Sequence, residues 1–169
     1  MKTALLVIDM QNDYLWENRK KPFSYDTACL TASVNELIHR HRLVVYIRHI
    51  IQNLPTNRLL FGYSIAGTEG AELYGGLDIV SDHCFDKYFG DAFTNRHLRE
   101  FLEKQGVETV HLCGLDECGC VAATALGAVK RGMKAVILRK GTATVLPAAK
   151  VSRAREKLRR AGVQWSDDV

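Results

Sequence analysis

The chain is predicted to be an α/β protein with three layers, a mostly parallel six-stranded sheet lying between two sets of helices. Two features of the sequence predict this. Short apolar, β-branched runs alternate with amphipathic helical stretches six times over. Runs such as Ala4-Leu5-Leu6-Val7-Ile8 are apolar without alternation, the mark of strands buried on both faces. With 169 residues, 47% hydrophobic, and neither repeat nor linker, the chain suits a single domain, residues 1–169.

Taken in order, Ala4 to Ile8 is the first strand and Asp9 closes it. Ligands of parallel sheets bind outside the carboxyl ends of strands, so a carboxylate there is a candidate site residue as well as a turn cap. Met10 to Tyr25 is polar and aromatic and reads as a loop. From Asp26 to Arg42, Leu30, Val34, Leu37 and Ile38 share one helical face, with Asp26 as N-cap. Leu43 to Ile47 is the next strand, followed by Arg48-His49. Ile50 to Gly76 carries turn chemistry without periodicity and reads as a binding loop. A weaker strand lies near Asp82 to Asp86, and Lys87 follows it.

Thr94 to Gln105 is amphipathic through Leu98, Phe101 and Leu102, with Gly106 as its stop. Val107 to Cys113 is a strand with Cys113 in the core, Gly114 to Gly119 a tight loop, and Val121 to Val129 a helix of small residues. Ala135 to Leu138 is a strand, Pro147 to Ala161 a basic amphipathic helix, and Val163 to Trp165 a last short strand.

Composition narrows the function. The net charge of +4 is modest and concentrated in the last helix. Its Lys150, Arg153, Arg155, Lys157, Arg159 and Arg160, with Glu156 interleaved, read as a solvated face rather than a nucleic-acid surface. Neither GxGxxG nor GxxxxGK[ST] follows a strand, which disfavours a nucleotide cofactor: the fold is Rossmann-like without its nucleotide motif. No apolar run reaches membrane-span length, and Asp9 ends the first run too early for a secretory leader. The 5 cysteines are odd in number and not spaced as a disulfide framework. A cytoplasmic protein with free thiols is expected, acting on a small molecule and meeting neither membrane nor nucleic acid.

Asp9, Lys87 and Cys120 each stand just past the carboxyl end of a candidate strand. Together they supply a base, a cation and a nucleophile, the set that acyl transfer needs. Cys120 falls at the first helical turn after a strand. Unpaired backbone N–H groups and the helix dipole there favour thiolate, against an ordinary thiol pKa near ~8.5. The bland reading is that cysteine at such a junction is a small buried hydrophobe.

Four segments carry a resemblance. Leu6-Val7-Ile8-Asp9-Met10-Gln11-Asn12-Asp13-Tyr14 resembles the opening motif of the isochorismatase-like cysteine hydrolase superfamily. Gly67-Thr68-Glu69-Gly70-Ala71-Glu72-Leu73 is similar to its middle loop, and Asp86-Lys87-Tyr88-Phe89-Gly90-Asp91-Ala92-Phe93-Thr94 to its lysine segment. Gly114 to Ala125, with Cys120, Val121 and Thr124, resembles its nucleophile segment. The resemblance covers essentially the whole chain, in order. It implies strand order 3-2-1-4-5-6, a Cys120-Asp9-Lys87 triad, and hydrolysis of a C–N bond in a small amide or ureido substrate through a thioester. It further implies a cis peptide at Leu115–Asp116, with the N–H groups of Asp116 and Cys120 as oxyanion donors, and assembly as a dimer or larger homo-oligomer.

Alternatives are an isochorismatase-type ether hydrolase, which Cys120 disfavours, and a thiol-redox protein using Cys118 and Cys120, whose CxC spacing departs from CxxC. The substrate pocket is expected to draw on Asn12, Tyr14, Trp16, Phe61, Tyr63, Phe89 and Phe93, which suit a flat or apolar group. Two departures from the family stand out. Asp116 and Glu117 put two carboxylates beside the expected oxyanion hole, and Arg139-Lys140 stand where many relatives are acidic. Metal-dependent relatives carry Asp-x-His after the second strand. Here the place reads Arg48-His49-Ile50-Ile51, so no metal and no other cofactor is expected, and His49 reads as a packing or hydrogen-bonding residue.

Overall fold

The structure, a computed structural model, describes residues 1–18, 23 and 25–167. Of the loop expected at Met10 to Tyr25, residues 19–22 and 24 therefore lie outside the described residues. Six strands form one sheet: β1 (Lys2–Ile8), β2 (Val44–His49), β3 (Cys84–Lys87), β4 (Val107–Gly114), β5 (Lys134–Thr142) and β6 (Gln164–Ser166). Every neighbouring pair is parallel, in the order β3-β2-β1-β4-β5-β6.

The helices are α1 (Asn12–Leu15), α2 (Thr27–Arg40), α3 (Pro55–Leu60), α4 (Arg96–Lys104), α5 (Ala122–Val129) and α6 (Ala148–Arg160). Alternate residues of each strand point to opposite faces, and this divides the core in two. Leu6, Ile8, Val45, Ile47, Leu112 and Ile137 meet Leu98 and Leu102 of α4, Ala125 and Ala128 of α5, and Leu158 of α6. Leu5, Val7, Val44, Tyr46, Val136 and Leu138 meet Leu30, Val34, Leu37 and Ile38 of α2. Burying an aliphatic side chain of this size contributes about 1.5–3 kcal/mol, so the one apolar stripe of α2 accounts for its docking. Asp26 caps that helix, accepting the Cys29 N–H at 2.9 Å.

Three differences from the sequence reading bear on the site. Lys87 is the last residue of β3 rather than its successor. The stretch Ile50 to Gly76 contains α3 and a 3-10 turn at Glu69–Ala71, both too short to show periodicity. Before α5 the chain makes a π-helical turn, Glu117–Val121, broken by Gly119 at φ −107° and ψ −109°. Cys120 therefore sits in that turn, ahead of the regular helix.

Gly114 brings the ends of β4 and β1 together. Its φ is 103°, and a Cβ there would lie 2.0 Å from the Ile8 carbonyl oxygen. Only glycine allows so close an approach. The result is that the residue after β1 and the turn after β4 open on the same crevice, where the strand order reverses.

Candidate active site

Asp9, Lys87 and Cys120 meet in that crevice. Asp9 has φ 53°, a left-handed conformation that costs a non-glycine residue roughly 1–3 kcal/mol. Its N–H donates to the Ile47 carbonyl at 2.9 Å, so the turn is held by β2. Lys87 starts from β3, and β2 lies between β3 and β1. Two strand spacings are about 10 Å, which suits a long side chain. The Lys87 ammonium stands 3.0 Å from Asp9 Oδ2 and donates to Cys120 Sγ at 3.1 Å. Lys87 is 1% exposed and Asp9 3%. A buried ammonium persists when it is paired, and here both partners come from other elements.

Charge follows from these contacts. Burial pulls Lys87 down, but the Asp9 carboxylate and Cys120 together hold it above the usual lysine range. Burial is also the main effect on Cys120. Asp9 adds to it, Lys87 opposes it, and the thiol is pushed up to about 12. At neutral pH the resting pair is thus ammonium and thiol. The cation and the turn favour thiolate, but they do not outweigh burial and the carboxylate. Asp9 Oδ1 is buried and makes no well-directed hydrogen bond.

The Leu115–Asp116 peptide is cis. The Asp116 N–H donates to no acceptor among the described residues. The two carboxylates that raised concern are engaged elsewhere. Asp116 Oδ1 accepts the Cys118 N–H at 2.9 Å and Oδ2 the Val145 N–H at 2.8 Å. Glu117 is 4% exposed and accepts Arg155 Nε and Nη2 at 2.7 and 2.8 Å, with Trp165 Nε1 at 3.2 Å. Arg155 accordingly leaves the solvated face assigned to it, because it reaches from α6 to a buried partner in the turn before α5. Arg139 stays at the surface and pairs with Asp167 at 3.6 Å.

A cavity of about 190 Å³ opens onto Cys120 and Asp9, walled by Tyr14, Phe23, Tyr25, Tyr63, His49, Leu115 and Asp116. The Phe23 ring stands edge-on to Tyr14 at 5.0 Å and to Tyr63 at 5.7 Å. Of the residues expected in the pocket, Tyr14 and Tyr63 line it. Asn12 does not: its amide donates to the Glu69 carbonyl at 2.8 Å and ties the loop. Trp16 is not part of the wall. Phe61 and Phe89 line an adjoining groove instead. Phe93 is fully buried in the core with Arg131 5.4 Å over its ring. Phe23, Tyr25, His49 and Leu115 were missed. The run of aromatics that begins at Tyr14 and resumes at Phe23 was the available signal for two of them.

His49 walls the cavity and also takes a hydrogen-bonding role. Burial and then Lys87 lower its pKa, so it is neutral, and Nδ1 lies 3.4 Å from the Tyr14 hydroxyl. Ser64 Oγ donates to that same hydroxyl at 2.8 Å. Gln11 holds the His49 backbone, accepting its N–H at 2.8 Å and donating to its carbonyl at 2.9 Å.

The donor set does not fit a divalent metal. Arg48, near the end of β2 where the resemblance would put an Asp of a metal site, is a guanidinium paired with Asp86 at 2.8 Å and with Glu72. Among the described residues, no three His, Cys, Asp or Glu side chains converge as ligands. Nor, among them, is any helix long and apolar enough to cross a membrane.

Comparison with known proteins shows the family and the fold. The family model for the isochorismatase domain matches residues 3–167, and the chain belongs to that family. It is 30% identical over 142 residues, 75% of this chain and 72% of the other, to a probable inactive nicotinamidase of Arabidopsis thaliana. The solved structure of a Bacillus subtilis nicotinamidase/pyrazinamidase is similar at TM-score 0.81 and 27% identity, covering 99% of this chain and 100% of that one. An N-carbamoylsarcosine amidase from Thermoplasma acidophilum shares the fold at TM-score 0.82 and 24% identity, covering 100% and 99%. The fold is thus that of the family's amidohydrolases.

Proposed function

We propose that the protein is a cysteine hydrolase that cleaves a C–N bond of a small amide or ureido substrate through a thioester on Cys120. The observation that carries this reading is the contact of one buried ammonium with both a carboxylate and a thiol, Lys87 with Asp9 and Cys120. Asp9 takes the proton from Sγ as substrate enters, because a thiol held near about 12 needs an adjacent base. Lys87 stays charged and stabilises the sulfur anion as it forms.

Sulfur then bonds to the carbonyl carbon. The oxyanion is met by the N–H groups of Asp116 and Cys120, each such donor being worth about 3 kcal/mol. The C–N bond breaks as Asp9 returns its proton to the leaving nitrogen. Water next adds to the thioester and gives a proton to Asp9. The C–S bond breaks, the acid leaves, and Asp9 reprotonates the sulfur. No step needs a metal.

The aromatic wall of Tyr14, Phe23, Tyr25 and Tyr63 supports a flat or apolar acyl group. The same reading includes association of copies, supported by exposed Leu59, Leu60, Tyr88 and Phe89. Assaying primary amides and N-carbamoyl compounds for ammonia release, with wild type beside Cys120→Ala, tests the proposal. Release by wild type alone supports it; equal release by both contradicts it.

A further inference from the structure

We infer that the Glu117–Arg155 ion pair positions the turn carrying the oxyanion donors, so that α6 and β6 govern acylation without touching substrate. The inference rests on the cysteine-hydrolase reading above. Glu117 shares the π-helical turn with Cys120 and directly follows Asp116. Its carboxylate is buried beneath that turn, while Arg155 reaches it from α6 and remains 37% exposed at its side chain. Trp165 of β6 adds a third donor. On the other side the turn is tied to the chain after β5, through the Glu117 N–H to the Ala143 carbonyl at 2.8 Å and the Val145 N–H to Asp116.

The turn is therefore held between two anchors, and only one of them is a charge pair. α6 buries little apolar surface of its own, with Val151 and Leu158 as its buried residues. Packing alone leaves its position loosely specified, and the two-pronged Arg155–Glu117 contact supplies the missing direction. Without Arg155, the Glu117 carboxylate is an uncompensated buried charge and must move toward water. That movement carries Asp116 and Cys120 with it. Oxyanion donors act at about 2.7–3.1 Å, so a small displacement costs rate while leaving the thiol and its proton acceptor in contact.

Two reactions of the same sulfur separate positioning from reactivity. Iodoacetamide alkylates Cys120 with loss of iodide and forms no oxyanion. p-Nitrophenyl acetate acylates it through a tetrahedral oxyanion with loss of p-nitrophenolate. Both draw on the same thiolate, so its fractional ionisation cancels in their rate ratio. The rates are read at Cys120 by peptide mass spectrometry in Arg155→Met, Arg155→Lys and the paired Glu117→Leu/Arg155→Leu variant.

The ratio of acylation to alkylation is expected to fall about tenfold or more in Arg155→Met and in the paired variant, with partial recovery in Arg155→Lys. The paired variant replaces a buried ion pair by apolar groups, a change that commonly leaves stability intact. It therefore decides the matter even where Arg155→Met fails to fold. A ratio within about twofold of wild type in the folded paired variant overturns the inference, since oxyanion donors typically act on a far larger scale. A wild-type Cys120 that alkylates but never acylates overturns the hydrolase reading itself, a different result.

Discussion

Lys87 Nζ stands 3.0 Å from Asp9 Oδ2, with the lysine side chain fully buried and the carboxylate nearly so. The two charges act on Cys120 in opposite directions, Asp9 raising and Lys87 lowering its pKa. Lys87→Met should therefore slow alkylation of Cys120 near neutral pH, and Asp9→Asn should quicken it while amide turnover collapses. Shifts of about 1–3 pKa units are usual for charges this close. Lys87→Met also strands a buried carboxylate and should cost about 3–5 kcal/mol of stability. The check is the pH–rate profile of iodoacetamide labelling; profiles displaced in the same direction would refute the triad assignment.

The raised thiol pKa has a consequence for stability. The native state keeps a Cys120 proton that the unfolded chain releases above pH ~8.5. Stability is fully present below that pH and declines as pH rises toward about 12, where the native thiol itself ionises. Lys87, raised above its ordinary value, acts in the same sense at higher pH. Urea unfolding of wild type and Cys120→Ala across the alkaline range should show a shallower decline in the variant.

Aromatic residues separate by role. Phe93→Ala should lose about 3–5 kcal/mol, as a fully buried ring does. Tyr63→Ala should raise KM for a flat amide several-fold with a smaller stability loss, because its ring walls the cavity. Phe89 is 68% exposed, so Phe89→Ala should change stability by less than about 0.5 kcal/mol. Thermal melts beside Michaelis kinetics distinguish the three.

Much of this was legible in the chain. β1, β2, β4 and β5 are buried on both faces, and continuous apolar runs betray such strands. β3 was weaker because its residues are only partly buried, so its pattern carries little contrast. Asp9, Lys87 and Cys120 could all be placed from their positions at the carboxyl ends of strands. Tyr14 and Tyr63 were placed in the pocket, but Phe93 was too, because a phenyl ring serves a core and a cavity equally well. Arg155 read as solvated because helical periodicity says nothing of a partner as remote in sequence as Glu117.

Chelation bears on the cofactor expectation. Because no three candidate ligands converge among the described residues, prolonged dialysis against a chelator should leave folding and turnover unchanged. Loss of activity restored by zinc or iron would contradict this.

The most direct test is mass spectrometry of the protein quenched during turnover of an amide it hydrolyses. The account predicts an added acyl mass on the peptide bearing Cys120, removable by hydroxylamine. That adduct should persist in Cys118→Ser and be absent, together with turnover, in Cys120→Ala. Undiminished turnover by Cys120→Ala, or an acyl group carried on Cys118 instead, would contradict it.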